Sequence, residues 1–325
     1  MNSINEIEGY QLVHILLIAF GSTAIFGLVL VITTFILYQK IHKFEIEQIA
    51  YLSFSTLLSI LGYIIFWIND EKSKVVETEY FNICMTQAFL VVVSEMSQSF
   101  WSTLIIFNLY DGLVNFENNY KVKYKSNCLK RCVHIFIGFI IPIFIGIAAY
   151  LLDKMHESGL WCSISIKSSL ENNYFTIILF SILWFCIFAN MFLLCKVKSF
   201  FKFLLMKDEM KTVYKDLKKL MCYPIIQMIC VIPDSLAKIA MWLKPETAHY
   251  FSIISQILTA VFAILLGYSI VIIFGAVSNV FELIKKIFCC QRDQKINEIK
   301  SSFLSSLEGE SKGEQDEINS MGMIV

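Results

Sequence analysis

Residues 174–197 read YFTIILFSILWFCIFANMFLLCKV, a stretch with no charged side chain before Lys196. A hydrocarbon core about 30 Å thick takes roughly 20 apolar residues per helical crossing, so this stretch is long enough to span a bilayer. Because lipid cannot hydrogen-bond the backbone N–H and C=O groups, a crossing of this length has to be a helix. The stretch therefore predicts a transmembrane helix.

Six further stretches of the same kind lie in series along the chain, separated by short polar segments. The chain is 57% hydrophobic and 17% charged, whereas an ordinary soluble domain is about 25% charged. The crossings and their loops use nearly all of the 325 residues. We predict an all-α membrane protein, a seven-transmembrane helix bundle with crossings at residues 12–38, 48–69, 84–110, 132–152, 174–197, 217–242 and 248–277.

Lys and Arg are distributed unevenly between the polar segments. Segments 39–47, 111–131 and 196–219 and the tail after Val277 contain 21 of them, and the N-terminus and the other three segments contain five. By the positive-inside rule, the first set faces the cytosol. The predicted N-terminus is extracellular and the predicted C-terminus is cytoplasmic.

The two ends of the chain differ from the bundle (residues 12–277) in character. Residues 1–11 form a short extracellular N-terminus. Residues 278–290 have an apolar and a charged face at helical spacing, which predicts a short amphipathic eighth helix on the membrane. Within it, Cys289 and Cys290 are candidates for lipidation, or are ordinary reduced thiols. The tail 291–325 is polar and serine-rich, which predicts disorder.

Two cysteines lie on the predicted outer side. Cys84 begins the third crossing, and Cys162 lies in the outer segment 153–173. Because they are the only cysteines on the oxidising side, a disulfide between them is predicted; the alternative is two free thiols.

Three formal charges stand out within the apolar parts of the predicted crossings, where a charge is costly and faces the bundle interior or a partner. They are Glu95, Asp234 and Lys238, and the last two are four residues apart. One interpretation is a ligand pocket open to the outside, with the predicted binding set Glu95, Gln98, Asp234, Lys238 and Trp242. The other is an internal ion pair or a polar latch between the third and sixth helices.

Polar residues continue from Glu95 along one side of the third crossing. Gln98, Ser99 and Ser102 follow it at three- and four-residue spacing. Residues at this spacing share a helical face. We expect this stripe to face other helices or a cavity.

Two features of the crossings concern helix shape and packing. Pro224 and Pro233 lie in the sixth crossing, where each proline removes a hydrogen bond and bends the helix, although proline is also simply tolerated in membrane helices. Gly138, Pro142 and Gly146 share a face of the fourth crossing, which indicates a close-packing seam.

The predicted cytoplasmic face is basic. Segment 196–219 carries eight lysines, and Tyr110 lies at the inner end of the third crossing. We predict that Tyr110, Lys211 and Lys215 contact a signal-transducing protein, or that the lysines attract anionic lipid head groups.

Sequence motifs for catalysis are absent. The chain has no HExxH, no GxSxG and no phosphate-binding Gly-rich loop. We predict no enzyme, no cofactor, no metal ion and no nucleic-acid partner. Retinal chemistry needs a Schiff-base lysine in the last crossing, and residues 248–277 contain none.

Residues 223–239, YPIIQMICVIPDSLAKI, are similar to the pattern YPxxxxxCWxPxxIxRI of the cyclic-AMP-receptor-like G-protein-coupled receptors of amoebae and other protists. Residues 107–110 (FNLY) resemble the inner end of the third helix in that family, and residues 267–269 (GYS) resemble the end of its seventh helix. The Cys84 and Cys162 pair resembles the conserved disulfide of G-protein-coupled receptors. In departure from the pattern, Val231 replaces the Trp, Lys238 replaces the Arg, and the last crossing has no NPxxY.

The resemblance implies a receptor at the plasma membrane. It implies an extracellular small-molecule ligand, a heterotrimeric G protein on the cytoplasmic side, contact with membrane lipids, and activation through movement of the sixth helix. The alternatives are a seven-helix transporter or channel, which needs a polar path or an inverted repeat, and a membrane scaffold that senses no ligand.

Overall fold

The computed structural model describes residues 2–37, 44–70, 77–117, 128–152, 155–158, 161–164, 174–204, 219–243 and 248–277. These residues all belong to the structural unit Met1–Ser278. The unit Asn279–Val325 lies outside the described residues. The predicted amphipathic helix (residues 278–290) and the tail (residues 291–325) lie outside them too.

The described chain is almost entirely helical. The helices are α1 (Asn2–Leu37), α2 (Phe44–Asp70), α3 (Glu77–Glu117), α4 (Cys128–Ile135), α5 (Ile141–Leu151), α6 (Tyr174–Leu204), α7 (Cys222–Leu243) and α8 (Ala248–Val277). A π-helical segment, Phe136–Ile140, joins α4 to α5, so that these two helices form one crossing. The seven-helix bundle is confirmed within the described ranges.

The helices extend beyond several of the predicted crossings. α1 begins at Asn2, α3 covers Glu77–Glu117, and α6 continues to Leu204. Hydropathy locates only the apolar part of a helix, whereas the backbone hydrogen bonds of the helix are internal and continue past the edge of the lipid.

Five helical segments in the described chain are long and apolar enough to cross a membrane. They are Leu17–Leu37, Ile83–Val114, Leu129–Leu151, Tyr174–Phe200 and Ile257–Gly275, and the apolar part of α7, Cys222–Ile232, is shorter. The inner face of α2 carries small polar residues with at most 1% exposure, namely Ser53, Ser55, Thr56 and Ser59.

The outer surface of the bundle is apolar. On α6, the phenyl rings of Phe185, Phe188 and Phe192 are 73%, 60% and 61% exposed. A soluble protein does not leave a contiguous surface of large apolar side chains in water. This surface is the one that lipid covers in a membrane protein.

α3 lies at the centre of the bundle. It packs against α2, α5, α6, α7 and the π-helical segment, and 72% of its apolar window is buried, against 22–39% for the other four spans. Most side chains on α3 therefore face another helix, and the predicted polar stripe is among them.

The predicted seam on the fourth crossing is confirmed. Gly138, Pro142 and Gly146 are buried. A Cβ atom added to Gly138 would lie 2.3 Å from Trp101 Cε2, and one on Gly146 would lie 2.5 Å from Val93 Cγ2. Only glycine lets α3 approach this closely.

One short hairpin interrupts the helical architecture. β1 (Met155–Ser158) pairs antiparallel with β2 (Trp161–Ile164), with Glu157 opposite Cys162. The sequence did not predict these strands, because four-residue strands are too short to show a periodic pattern. The hairpin packs on α3.

Candidate ligand cavity

A cavity lies within the bundle, between α2, α3, α6, α7 and α8. It contains about 460 Å³ of empty space, counted to its open mouth. The cavity is lined by Ser59, Tyr63, Glu95, Gln98, Ser99, Leu183, Gln227, Cys230, Val231, Thr259, Phe262, Ala263 and Leu266.

Glu95 supplies the carboxylate of the cavity. The Tyr63 hydroxyl donates a hydrogen bond of 2.8 Å to Glu95 Oε1, which connects α2 to α3. The latch considered from the sequence joined the third and sixth helices. The described hydrogen bond joins Glu95 to the second helix. The latch stays a prediction, because the side chains of Asp234 and Lys238 lie outside the described residues.

The polar stripe on α3 faces the interior, as predicted. Gln98 and Ser99 are each 4% exposed, and Ser102 is fully buried. The Ser99 hydroxyl donates to the Glu95 carbonyl oxygen at 3.0 Å, and Gln98 Nε2 donates to the Ser55 carbonyl oxygen at 3.5 Å. These hydrogen bonds give the Ser99 and Gln98 donors acceptors within the bundle.

Gln227 brings an amide from α7 into the wall of the cavity. Its side chain is 4% exposed, and its Oε1 atom has no hydrogen-bond partner within the described part of the chain. A buried polar atom without a partner costs about 1–3 kcal/mol. A hydrogen-bond donor that enters the cavity would remove this cost.

The rest of the cavity wall is mostly apolar. Leu183, Val231, Phe262, Ala263 and Leu266 face the same space. An apolar wall with a few polar groups is typical of a binding site for a small organic molecule. Within the described ranges, no group of three or more His, Cys, Asp and Glu residues could hold a metal ion.

Two of the five predicted ligand residues, Glu95 and Gln98, line this cavity. The other three, Asp234, Lys238 and Trp242, belong to the range of α7, but their side chains lie outside the described residues.

The structure joins Cys84 and Cys162 by a disulfide, with a Cα–Cα distance of 5.2 Å. The backbone N–H of Cys162 also donates to Gln87 Oε1 at 2.9 Å. Together these bonds attach the hairpin to the first part of α3.

Tyr110 lies toward the opposite end of α3, about 39 Å along the helix axis from Cys84 at 1.5 Å per residue. Its side chain is half-buried. The other predicted residues of that side, Lys211, Lys215, Cys289 and Cys290, lie outside the described residues.

A charged network near Tyr110 was not predicted from the sequence. Arg131 Nη2 lies 2.9 Å from Glu47 Oε2, and the Tyr51 hydroxyl donates to Glu47 Oε1 at 2.8 Å. Lys130 Nζ lies 2.9 Å from Asp111 Oδ2. The network connects α2, α3 and α4 at the end of the bundle opposite the disulfide.

Sequence reasoning also missed Tyr63 and Gln227 in the cavity. Gln227 carried a usable signal, because it is a lone amide in an apolar stretch seven residues before Asp234 and so shares its helical face. Thr259 and Phe262 carried none, because their residue types are ordinary in a membrane helix.

Comparison with known proteins identifies the fold. No family model and no curated protein matches the chain. The crystal structure of squid rhodopsin matches with a TM-score of 0.62 and 14% sequence identity, over 79% of this chain and 75% of that one. At this identity the likeness establishes the fold alone. The chain is a multi-pass membrane protein with the helical fold of a G-protein-coupled receptor.

Proposed function

We propose that the chain is a cell-surface receptor that binds an extracellular small molecule in the cavity and activates a heterotrimeric G protein through movement of α7. The observation that carries the proposal is the cavity itself. It places a carboxylate and an unpartnered amide inside a bundle that has the fold of squid rhodopsin.

The packing of α7 supports its role as the moving helix. α7 packs extensively against α8 but only sparsely against α6, so its side toward α6 has few contacts to break. Pro233 removes a backbone hydrogen bond within α7, whereas Pro224 lies in its first turn, where the N–H groups have no partner within the helix. The helix therefore resists bending less than its neighbours do.

The cavity couples ligand binding to α7 directly. Gln227, Cys230 and Val231 of α7 form part of its wall. A ligand shifts a conformational equilibrium only by its difference in affinity for the two states. A ligand that binds the Gln227 side chain more tightly in one tilt of α7 than in another would therefore favour that tilt.

The proposed transducer surface is the end of the bundle opposite the disulfide. In this proposal the surface comprises Tyr110, Lys211 and Lys215 and faces the cytosol. The protein lies in the plasma membrane, and its N-terminus is extracellular. The uneven distribution of Lys and Arg supports this orientation. The amphipathic segment 278–290, with lipidation at Cys289 or Cys290, would rest on the same side of the membrane.

The proposal of a cyclic-AMP-receptor-like type rests on the sequence resemblance of residues 223–239 alone. Val231 stands where that pattern has Trp, and it lines the cavity. The replacement enlarges the cavity at this position, so we expect the ligand of this chain to differ in shape from the ligands of that family.

The test is guanine-nucleotide exchange on a panel of G-protein α subunits, in membranes that carry the chain, against a library of metabolites. We expect at least one metabolite to accelerate exchange. Glu95→Gln should abolish the response at unchanged surface expression, because it removes the carboxylate and keeps the side-chain volume.

The matched control is Ser181→Ala on α6. Ser181 is exposed on the outside of the bundle, and its hydroxyl donates to the Ile177 carbonyl oxygen of its own helix. This variant should respond as the unchanged chain does. An unaltered dose–response curve for Glu95→Gln would place the ligand elsewhere, and exchange that no metabolite accelerates would contradict the receptor proposal.

A further inference from the structure

The hydrogen bonds of the cavity wall leave one buried acceptor without a donor, and this imbalance narrows the class of ligand. We infer that the cavity takes an uncharged molecule with a hydroxyl group on a compact apolar body, and that the hydroxyl donates a hydrogen bond to Gln227 Oε1. This inference rests on the proposed function, since it takes the cavity as the ligand site.

The first observation is the position of Gln227. It shares one face of α7 with Cys230 and Val231, which follow it by three and four residues, and all three line the cavity. Gln227 is 4% exposed, and its Oε1 atom has no hydrogen-bond partner within the described part of the chain. The α7 side of the wall therefore offers the cavity a buried acceptor.

The second observation is that donors of the same wall are directed elsewhere. The Cys230 thiol donates to a backbone carbonyl oxygen of α8 at 3.6 Å. The Ser99 hydroxyl donates to a carbonyl oxygen of its own helix at 3.0 Å, and Gln98 Nε2 donates to a carbonyl oxygen of α2 at 3.5 Å. These contacts hold the helices together and leave the donor for Gln227 to be supplied from the cavity.

The third observation concerns charge. Among the described residues that line the cavity, Glu95 alone carries a formal charge at neutral pH. Its Oε1 atom accepts the Tyr63 hydroxyl at 2.8 Å, and the residue has a further interaction within the chain. An anion in the cavity would be repelled by this carboxylate, and a cation would lose its hydration beside a carboxylate that is already bonded. An uncharged ligand avoids both costs.

The fourth observation concerns the body of the ligand. The apolar part of the wall is formed by Leu183, Val231, Phe262, Ala263 and Leu266. A hydrocarbon or aromatic body that leaves water for such a wall gains free energy in proportion to the buried area. A hydroxyl supplies a donor with a single polar atom, whereas an amide adds a carbonyl oxygen that these side chains would leave unpaired. One hydroxyl on a compact apolar body fits both parts of the wall.

The experiment uses the full chain purified in detergent and three probes that share a phenylmethyl body: benzyl alcohol, benzyl methyl ether and benzylamine. The ether keeps the oxygen of the alcohol but has no donor, and the amine is a cation at neutral pH. The readout is the unfolding temperature as a function of probe concentration, because a ligand that binds only the folded state raises this temperature by mass action. We expect the alcohol to bind about two- to tenfold more tightly than the ether, as one hydrogen bond provides, and more tightly than the amine.

Two variants locate the binding site. Gln227→Leu removes the acceptor, and Gln227→Asn draws it back toward α7 by one methylene group. Each should reduce the preference for the alcohol over the ether to about onefold, because neither variant presents an acceptor at the original position. Size-exclusion profiles establish which variants are folded, and either folded variant is sufficient for the test.

Ser181→Ala, on the outside of the bundle, is the matched control and should keep the full preference for the alcohol. An effect of the probes on the detergent would appear equally in this variant and in the Gln227 variants. A preference that depends on Gln227 therefore reports binding in the cavity.

Four outcomes would overturn the inference. They are equal binding of the alcohol and the ether by the unchanged chain, a preference for the alcohol that survives in the Gln227 variants, tighter binding of the amine than of the alcohol, and the absence of a shift with all three probes. The second would show that the probes are distinguished by size and not by the hydrogen bond.

The result is separable from the test of the proposed function. Binding of the alcohol through Gln227, without nucleotide exchange on any α subunit, would uphold the ligand class and contradict the receptor. Exchange driven by a charged metabolite, without a preference for the alcohol, would uphold the receptor and contradict the ligand class.

Discussion

The substitution Gly138→Ala tests how closely α3 packs against the π-helical segment Phe136–Ile140. The added methyl group would lie 2.3 Å from Trp101 Cε2, 2.5 Å from Cζ2 and 2.7 Å from Nε1, whereas carbon atoms pack at about 3.5–4.0 Å. The indole of Trp101 would have to move by more than about 1 Å. It is fully buried, and the rings of Tyr51 and Phe139 lie 4.8 and 5.3 Å from it between centroids.

The expected cost follows from this lack of space. Overpacking a core typically costs about 1–3 kcal/mol, and a clash with a fully buried ring belongs at the upper end, at about 3 kcal/mol. On the scale of domains of roughly 150–250 residues, that loss lowers the unfolding temperature by about 6–12 °C.

The assay is thermal unfolding in detergent, followed with a thiol-reactive dye that reports the exposure of buried Cys186 and Cys230. Gly267→Ala is the matched control. Its nearest neighbour would be Ile60 Cδ1 at 3.2 Å, the tip of a flexible side chain, so the change should stay below about 1 kcal/mol.

A double variant isolates the clash. Trp101→Phe shortens the ring system, so that Gly138→Ala combined with Trp101→Phe should be less destabilised than the sum of the two single variants. An unfolding temperature of Gly138→Ala equal to that of Gly267→Ala would refute the close contact between the two segments.

The remaining predictions concern both ends of the bundle. Glu47→Ala should cost about 2 kcal/mol in unfolding free energy, because it removes an acceptor of charge-assisted hydrogen bonds that is only 8% exposed. Asp111→Ala should cost less than about 1 kcal/mol, because its ion pair is solvent-exposed; equal losses in the dye assay would contradict this ranking. Cys162→Ser should lower stability by about 2–4 kcal/mol, and an unchanged unfolding temperature would argue against the disulfide. Deletion of residues 208–216 should abolish G-protein activation while ligand affinity stays the same, and activation that survives it would remove the basic segment from the transducer surface.

Much of the fold was predictable because its signals are local and cumulative along the chain. A run such as residues 174–197 predicts a crossing whatever its neighbours are, since the cost of placing it in water depends on its own side chains. The stripe of Glu95, Gln98 and Ser99 was predictable for the same reason. Helical spacing puts these three side chains on one face of α3. Contact between this polar face and lipid is energetically unfavourable, so the face is expected to lie inside the bundle.

The bundle contacts were not predictable in this way. Helices with similar hydropathy can rotate about their axes and slide past one another, and only the packing of all side chains together selects one arrangement. That selection brings Tyr63 to Glu95 and Gln227 into the same cavity wall. It also pairs Arg131 with Glu47, far apart along the chain.

By itself, the sequence determined that the chain crosses a membrane as a helical bundle, which two cysteines can form a disulfide, and which face of α3 is polar. The tertiary structure alone decided which polar groups meet and which one, Gln227 Oε1, is left without a partner in the described chain. The physical reason is that hydrophobicity is a property of each segment, whereas a hydrogen bond needs two atoms within about 3 Å, and that distance depends on how separate helices pack.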